Sequence, residues 1–559
     1  MKKAKVFLIL LLFLMATQVW MLNGGQDREI SGTITCNEDL EGPVFVRLYK
    51  NKVSTDNTVK RLRKSEIYGD LKPYQVIKLE KPGFYCFSSL MPGYYTVLSF
   101  MDANNDGELS FNTPEPLGWF ASEPGGIYAA ISLLESSKKN ADFCLRRPTH
   151  FPRKEKKIDN GALRWMKGLP VLQLWGTAEE RGYAHGCLVG RQIIDFFESY
   201  IIEDSWKSAK QYQKIFVPFL ENNFNFPEKF LKECDSVIKG MKDSGIKMHI
   251  DSLGRDFNRT DLLAINSYIE KRASRPVEKT LSCTQFAFWG DQTKGGSLKG
   301  GLIAARNMDG EIDIRKVTVS HFLIFAVNPS ELGHKRWVSA MWPGFVGTIS
   351  GMNEDGLYSM ENAGSNRPAP VVGGIVPVSW IQRYILEKEG ANATPESILR
   401  IIQSFSCEGG GSTSAGSIIL WAVPYNGQEF PAFVYEGDRS GGVMRTPTEV
   451  RPTSPDNIMA SNHSLVYGHS PEQPRFSFRK PVSLSSLWRY EAGMNMLEAW
   501  GRVGRALGVH EAIRLLQTVS HATTEYSVIF LANEKRILVA VDDLKTDLWD
   551  APYMPWKEF

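Results

Sequence analysis

Apolar and polar positions alternate with a period of two along Ile30-Ser-Gly-Thr-Ile-Thr-Cys36 and Val44-Phe-Val-Arg-Leu-Tyr49, and Pro92-Gly-Tyr-Tyr-Thr-Val-Leu-Ser-Phe100 reads as a turn followed by a strand. Short strands between turn signals predict a small all-β sandwich over residues 26–147. A charged stretch with Pro148 and Pro152 then predicts a linker over 148–160. Residues 161–282 shift to helical spacing. Ile193–Ile202, Phe230–Ile238 and Leu262–Ile269 place apolar side chains three and four apart, with Val171–Trp175 as a strand before them. From Cys283 onward the pattern returns to β. Strands are expected at Val317–Val327, Trp337–Trp342, Gly356–Met360, Ser417–Val423, Ala432–Tyr435 and Ser527–Val541. Helices are expected at Val378–Glu389, Pro395–Ser404, Ser483–Leu497 and His510–Val519.

The most informative stretch starts at Ser282-Cys283-Thr-Gln-Phe-Ala-Phe288, passes a glycine-rich turn (Gly295, Gly296, Gly300, Gly301) and ends in Leu302-Ile-Ala-Ala-Arg306-Asn-Met-Asp309. This pattern predicts a β-hairpin that sets Cys283 beside Arg306 and Asp309. A thiol is nucleophilic as thiolate, and a neighbouring guanidinium favours that form. Taken alone, the residues leave two readings open: a catalytic thiol, or an inert buried cysteine above a turn with an ion pair.

The chain has 559 residues, enough for two to four domains. Its net charge of +3 gives no reason to expect a polyanionic partner. Lys2, Lys3 and Lys5 ahead of an apolar run from Val6 to Ala16 read as a targeting segment over residues 1–25, either an export signal or an N-terminal membrane tether. The remainder is therefore expected outside the cytoplasm: periplasmic, extracellular, or membrane-anchored and facing outward. Seven cysteines in an exported chain leave at least one unpaired, with one pair expected among Cys36, Cys86 and Cys144. Neither Cys-x-x-Cys nor His-x-x-x-His occurs, so no zinc site is expected. Asp102-x-Asn104-x-Asp106-Gly107 has the spacing of the front half of a calcium loop. Asp102, Asn104 and Asp106 are thus candidate ligands for a structural calcium, the one cofactor considered, against a metal-free Asx turn.

Two resemblances follow. Ser31-Gly-Thr-Ile, Pro92-Gly-x-Tyr-Thr-Val and the Asp102–Gly107 loop resemble prealbumin-like accessory domains related to the carboxypeptidase regulatory domain. Cys283-Thr with Arg306-Asn-Met-Asp309 resembles the start of the mature chain in N-terminal-nucleophile cysteine hydrolases of the choloylglycine hydrolase, acid ceramidase and isopenicillin N acyltransferase-like group. Gly344-x-x-Gly347, Gly351-Met-Asn353-Glu-x-Gly356, Asn362, Ala460-Ser-Asn462-His463, Ser485-Ser-x-x-Arg489-Tyr and His521-Ala-Thr-Thr resemble further segments in the same order. Arg181-Gly-x-x-His185-Gly resembles the pro-segment of the acyltransferase-like branch. The chain departs from the choloylglycine enzymes in its long pro-segment, the short Asn353–Asn362 spacing, and the bulky Phe286, Phe288 and Trp289.

The resemblance implies an α+β fold, the αββα sandwich of two stacked antiparallel sheets between helices, with 161–282 as pro-segment and 283–559 as catalytic core. It implies self-cleavage between Ser282 and Cys283. Cys283 is then nucleophile and, through its new amine, base. Arg306 favours the thiolate, Asp309 orients the amine, Asn362 and Asn462 bind the oxyanion, and Arg489 organises the site. The implied substrate is a small N-acyl amide or a lipid-like molecule, cleaved at a linear amide C–N bond. An acyltransferase using the same thioester, and a non-catalytic surface-binding protein on this scaffold, remain alternatives, and no nucleic-acid partner is expected.

Overall fold

The computed structural model describes residues 28–36, 42–51, 72–109, 115–126, 129–147, 150–274, 283–310, 313, 315–364, 371–413, 415–450, 456–469, 476–477, 480–544 and 551–559. The targeting segment 1–25 and Ser282 fall outside them. No helix of the described residues is long and apolar enough to cross a membrane. The chain divides into two compact units, residues up to 122 with 126–147, and 123–125 with 148–559.

In the first unit, strands Phe84–Leu90, Arg28–Cys36 and Phe143–Leu145 form one sheet, and Gln75–Leu79, Val44–Asn51, Tyr94–Met101 and Leu117–Trp119 form the body of another, with Ile131–Ser132 added on Tyr94–Met101. Their alternating apolar residues, among them Ile30, Val46, Leu48, Phe87 and Val97, make one core. No disulfide joins Cys36, Cys86 and Cys144. The expected pair does not form because Cys86 stands opposite Ser31, while Thr35, not Cys36, is opposite Cys144.

The second unit is a mixed α+β body with two large sheets. One has ten strands, in the order Gly441–Arg445, Ala432–Asp438, Ser417–Ala422, Tyr358–Ala363, Ser350–Asn353, Trp337–Met341, Leu323–Pro329, Leu169–Gly176, Gly161–Met166 and Lys156–Ile158. The other has six, in the order Asn457–Ala460, Cys283–Phe288, Ile303–Asp309, Thr524–Leu531, Arg536–Val541 and Lys557–Glu558. Two expectations are corrected here. The charged stretch 148–160 is not all linker, because Lys156–Ile158 pairs with Gly161–Leu163 as an edge strand, a position where lysines are favoured. Val317–Val327 is not one strand, because Val317–Ser320 forms a short helix before strand Leu323–Pro329. Residues 161–282 also supply two strands of the ten-stranded sheet, which joins the segment before Cys283 to the segment after it through the parallel pairing of Val171–Gly176 with Ile324–Pro329.

The inner faces of the sheets meet through Tyr358 and Phe530, whose ring centroids are 3.8 Å apart, and through the Tyr526 hydroxyl, which donates to the Ala340 carbonyl. On its other face the six-stranded sheet buries Phe286, Phe288, Ile303 and Ile529 under helices Leu484–Arg502 and Val509–Thr518. Helices Ala178–Phe196 and Val378–Lys388 lie on the far side of the ten-stranded sheet: Gly161 abuts Ala184, and the Asn353 amide donates to the Leu386 carbonyl.

The Arg181–Gly186 motif belongs to this packing. A Cβ on Gly186 would lie 2.1 Å from the Val237 carbonyl oxygen, so glycine is what lets helices Ala178–Phe196 and Glu228–Asp243 cross so closely. Arg181 pairs with Glu331 and Glu233. His185 accepts from the Gly344 N–H through Nε2, and burial lowers its pKa to about 3, which keeps it neutral. The motif is thus structural here.

Candidate active site

The hairpin pairs Cys283 with Met308 and Gln285 with Arg306, so both Cys283 and Arg306 point into the space between the sheets. Cys283 is the first described residue after the gap and is buried. Arg306 Nη2 lies 3.7 Å from its Sγ. The guanidinium is fixed by donation to the carbonyls of Ile349 and Glu361 on the facing sheet. Burial pushes the Cys283 thiol up from its ordinary value, and the Arg306 charge only partly opposes this.

The backbone of Cys283 is held at both ends. Its N–H donates to Asn462 Oδ1 at 2.8 Å. Its carbonyl accepts from Arg489 Nη1 and, at 3.4 Å, from Asn362 Nδ2. Arg489 also donates to Asn462 Oδ1 at 2.8 Å and to Thr284 Oγ1 at 2.6 Å. Helix Leu484–Arg502 thus clamps the start of strand Cys283–Phe288. Asn362 ends strand Tyr358–Ala363 and also donates to the Ser461 carbonyl at 3.1 Å.

Asp309 Oδ1 accepts from Thr524 Oγ1 at 2.5 Å, and it is Asn462 that holds the Cys283 nitrogen. Asn462 Nδ2 donates to the Ala363 carbonyl at 2.8 Å, so this asparagine meets the nucleophile through its acceptor rather than its donor. Its burial fits this role and does not fit use of the Asn462-His-Ser sequon.

Several participants were not singled out from the sequence. Ser486 Oγ accepts from the Asn462 N–H and bonds His463 Nδ1, fixing the asparagine loop. Glu436 accepts from the backbone N–H groups of Leu465, Val466 and Tyr467 and from Arg445, bracing the loop from the other side. Glu361 is buried on the opposite face from Asn362; burial raises it to about 7, and it accepts from Ser417. Glu270 is raised to about 8 by the same cause, and Arg272 lies within electrostatic reach of both. Thr524 lies in the His521-Ala-Thr-Thr motif and Glu361 immediately precedes Asn362, which are the only signals that could have found them.

The calcium candidates Asp102, Asn104 and Asp106 form a turn closed on itself. Asp102 accepts from the N–H groups of Asp106 and Gly107, Asp106 accepts from that of Glu108, and Asn104 Nδ2 donates to Asp106. Among the described residues no three metal-binding side chains converge.

No protein-family profile matches the chain. A curated protein of Archaeoglobus fulgidus, described as uncharacterised, is 22% identical over 373 residues, covering 60% of this chain and 56% of its own. The chain thus spans about half the length of that relative. Among solved structures, it aligns with a Caenorhabditis elegans N-acylethanolamine-hydrolyzing acid amidase ortholog at 14% identity and TM-score 0.31, covering 45% of this chain and 93% of that one. A conjugated bile acid hydrolase from Clostridium perfringens aligns at 12% and 0.30, covering 50% and 96%. Penicillin V acylase from Agrobacterium tumefaciens aligns at 15% and 0.29, covering 49% and 90%.

Proposed function

We propose that this chain is a self-processing cysteine amidohydrolase of the αββα N-terminal-nucleophile class, exported, and acting on the C–N bond of a small linear N-acyl amide. The observation that carries the reading is the clamp on Cys283: thiol against Arg306, N–H on Asn462, and carbonyl under Arg489 and Asn362.

In the first step the Cys283 thiol attacks the carbonyl carbon of residue 282. The C–N bond breaks, the nitrogen takes the thiol proton, and water hydrolyses the resulting thioester, freeing the residue 282 carboxylate and the Cys283 thiol. Cys283 then carries a free α-amine, whose reference pKa of about 7.7–8.0 suits a general base at neutral pH. In turnover the amine takes the thiol proton, sulfur attacks the substrate carbonyl, the amine returns the proton to the leaving nitrogen, and water hydrolyses the thioester. One residue serves as nucleophile and base, which fits a site where no histidine contacts the Cys283 sulfur among the described residues. Asn362 Nδ2, already at the Cys283 carbonyl, is the amide donor best placed to meet a developing oxyanion.

The test is expression of the exported part beside Cys283→Ala, compared by denaturing gel, intact mass and N-terminal sequencing. Two fragments from the wild type, the second beginning at Cys283, with an uncut variant, are expected. A wild-type chain that stays whole under reducing conditions from mildly acidic to neutral pH would overturn the proposal.

A further inference from the structure

A cavity of about 530 Å³ opens between the sheets at the end remote from Cys283. Its floor is the inner face of four adjacent strands, where Gln173, Ala326, Val338 and Met352 stand in register. Three of these four are partly exposed although their strands lie inside a ten-stranded sheet. The roof is Ile537 and Phe559 of the other sheet. Met352 pairs with Tyr358, whose ring packs on Phe530 and closes the interior, while the Cys283 carbonyl meets Asn362 four residues further on. At about 3.3 Å per residue the cavity lies roughly 13 Å from the nucleophile, behind an aromatic plug.

At the mouth the chemistry changes. Trp175, Asn328, Arg336 and Glu354 form the next row of side chains, and Arg336 Nε is taken by Glu354 at 2.7 Å. Lys535, on the tight turn between strands Thr524–Leu531 and Arg536–Val541, reaches the same rim and makes no ion pair among the described residues. An apolar slot of ligand size with one uncommitted cation at its entrance is complementary to an amphiphile with an anionic head. We infer that this cavity is a second binding site, distinct from the Cys283 site, for a medium-chain carboxylate, with the chain along Ala326 and Val338 and the carboxylate at Lys535. The inference does not rest on Cys283 being a nucleophile.

The test is calorimetric titration of decanoate, below its micellar range, into the full chain carrying Cys283→Ala, alongside Lys535→Glu and Val338→Trp in the same background. Saturable binding is expected, weakened at least tenfold by Lys535→Glu and abolished by Val338→Trp, while decanol is indifferent to Lys535→Glu. Quenching of Trp175 by a brominated decanoate, absent in Trp175→Phe, is expected alongside. If Val338→Trp fails to fold, Lys535→Glu on its exposed turn still decides. No saturable binding, or equal decanoate binding by wild type and Lys535→Glu without Trp175 quenching, would overturn the assignment.

Discussion

Arg489 and Cys283 are joined through the backbone, the guanidinium donating to the carbonyl oxygen of the residue whose thiol faces Arg306 on the other side of the strand. Arg489 spends its three nitrogens on five acceptors: the Ser485 carbonyl and Oγ, the Cys283 carbonyl, Thr284 Oγ1 and Asn462 Oδ1. Its role is therefore geometric, since it aligns the first peptide of the nucleophile strand with the asparagine that receives its N–H. A lysine keeps the charge but cannot reach two acceptors in a fixed fork. Arg489→Lys is expected to slow self-cleavage on the order of 100-fold, the loss typical when a site-organising donor is removed. The rate of fragment appearance on a gel measures it, and a rate within threefold of wild type would show that the guanidinium fork does not set the geometry of cleavage.

Asn462 separates acceptor from donor function. Its Oδ1 serves Cys283 and Arg489, and its Nδ2 serves only the Ala363 carbonyl. Asn462→Asp keeps the acceptor and places a charge beside Arg489, whereas Asn462→Leu removes both and leaves a buried N–H without a partner. The expected order of processing rates is wild type, then Asp within about tenfold, then Leu slower on the order of 100–1000-fold. The reverse order, with Asp as slow as Leu, would show that the Nδ2 donor carries the function.

Much of this was legible in the sequence, for identifiable reasons. The hairpin was readable because apolar strands flank a glycine-rich turn. Helix Pro395–Ser404 has the bounds expected because Thr394 caps it with Pro395 at its first position. The short helix Val317–Ser320 was misread because β-branched residues give a strand signal that tertiary packing overrode. The division of labour between Asp309, Thr524 and Asn462 was not legible, because it depends on which oxygen faces which N–H across strands more than 150 residues apart.

Stability should depend on pH in two opposed ways. Burial raises Glu361 to about 7 and Glu270 to about 8, so the folded chain holds protons that the unfolded chain has lost above pH 4.5, and stability falls as pH rises toward 8. Burial lowers His185 and His463 to about 3 and His521 to about 4, so the unfolded chain takes up protons below pH 6.5 that the folded chain refuses, and stability falls on acidification. Of these five groups only the carboxyls act above pH 6.5 and only the histidines below pH 4.5, where protonation of the depressed, arginine-paired Glu331 and Glu387 adds to the fall. Thermal unfolding of the Cys283→Ala chain should rise from pH 8 to pH 6.5 and fall below pH 4.5. Glu361→Gln should flatten the alkaline limb and stabilise the chain at pH 8 by roughly 3 kcal/mol at most, taking about 1.4 kcal/mol for each tenfold change in proton affinity between the folded and unfolded chain. An unchanged alkaline limb in that variant would mean that Glu361 is already ionised in the folded chain at pH 6.5.

Two glycines on helices give opposite expectations. Gly186 lies where helix Ala178–Phe196 crosses helix Glu228–Asp243, and an added Cβ would lie 2.1 Å from the Val237 carbonyl oxygen and 2.8 Å from the Met241 nitrogen, both backbone atoms that cannot swing aside. Gly186→Ala must push the helices apart, at a cost of about 1–3 kcal/mol or more by the usual scale of overpacking. Gly501 lies near the end of helix Leu484–Arg502, is exposed, and would find its nearest new neighbour 3.9 Å away in Gln292. Here alanine removes only the entropic penalty of glycine in a helix, so Gly501→Ala should stabilise by about 0.5–1 kcal/mol. Because Gly186 lies in the segment before Cys283, its substitution should also slow self-cleavage while Gly501→Ala leaves it unchanged. Parallel melting curves and processing rates for the two variants measure both effects. A Gly186→Ala chain that melts and cleaves like the wild type would show that the helix crossing is looser than a Cβ requires.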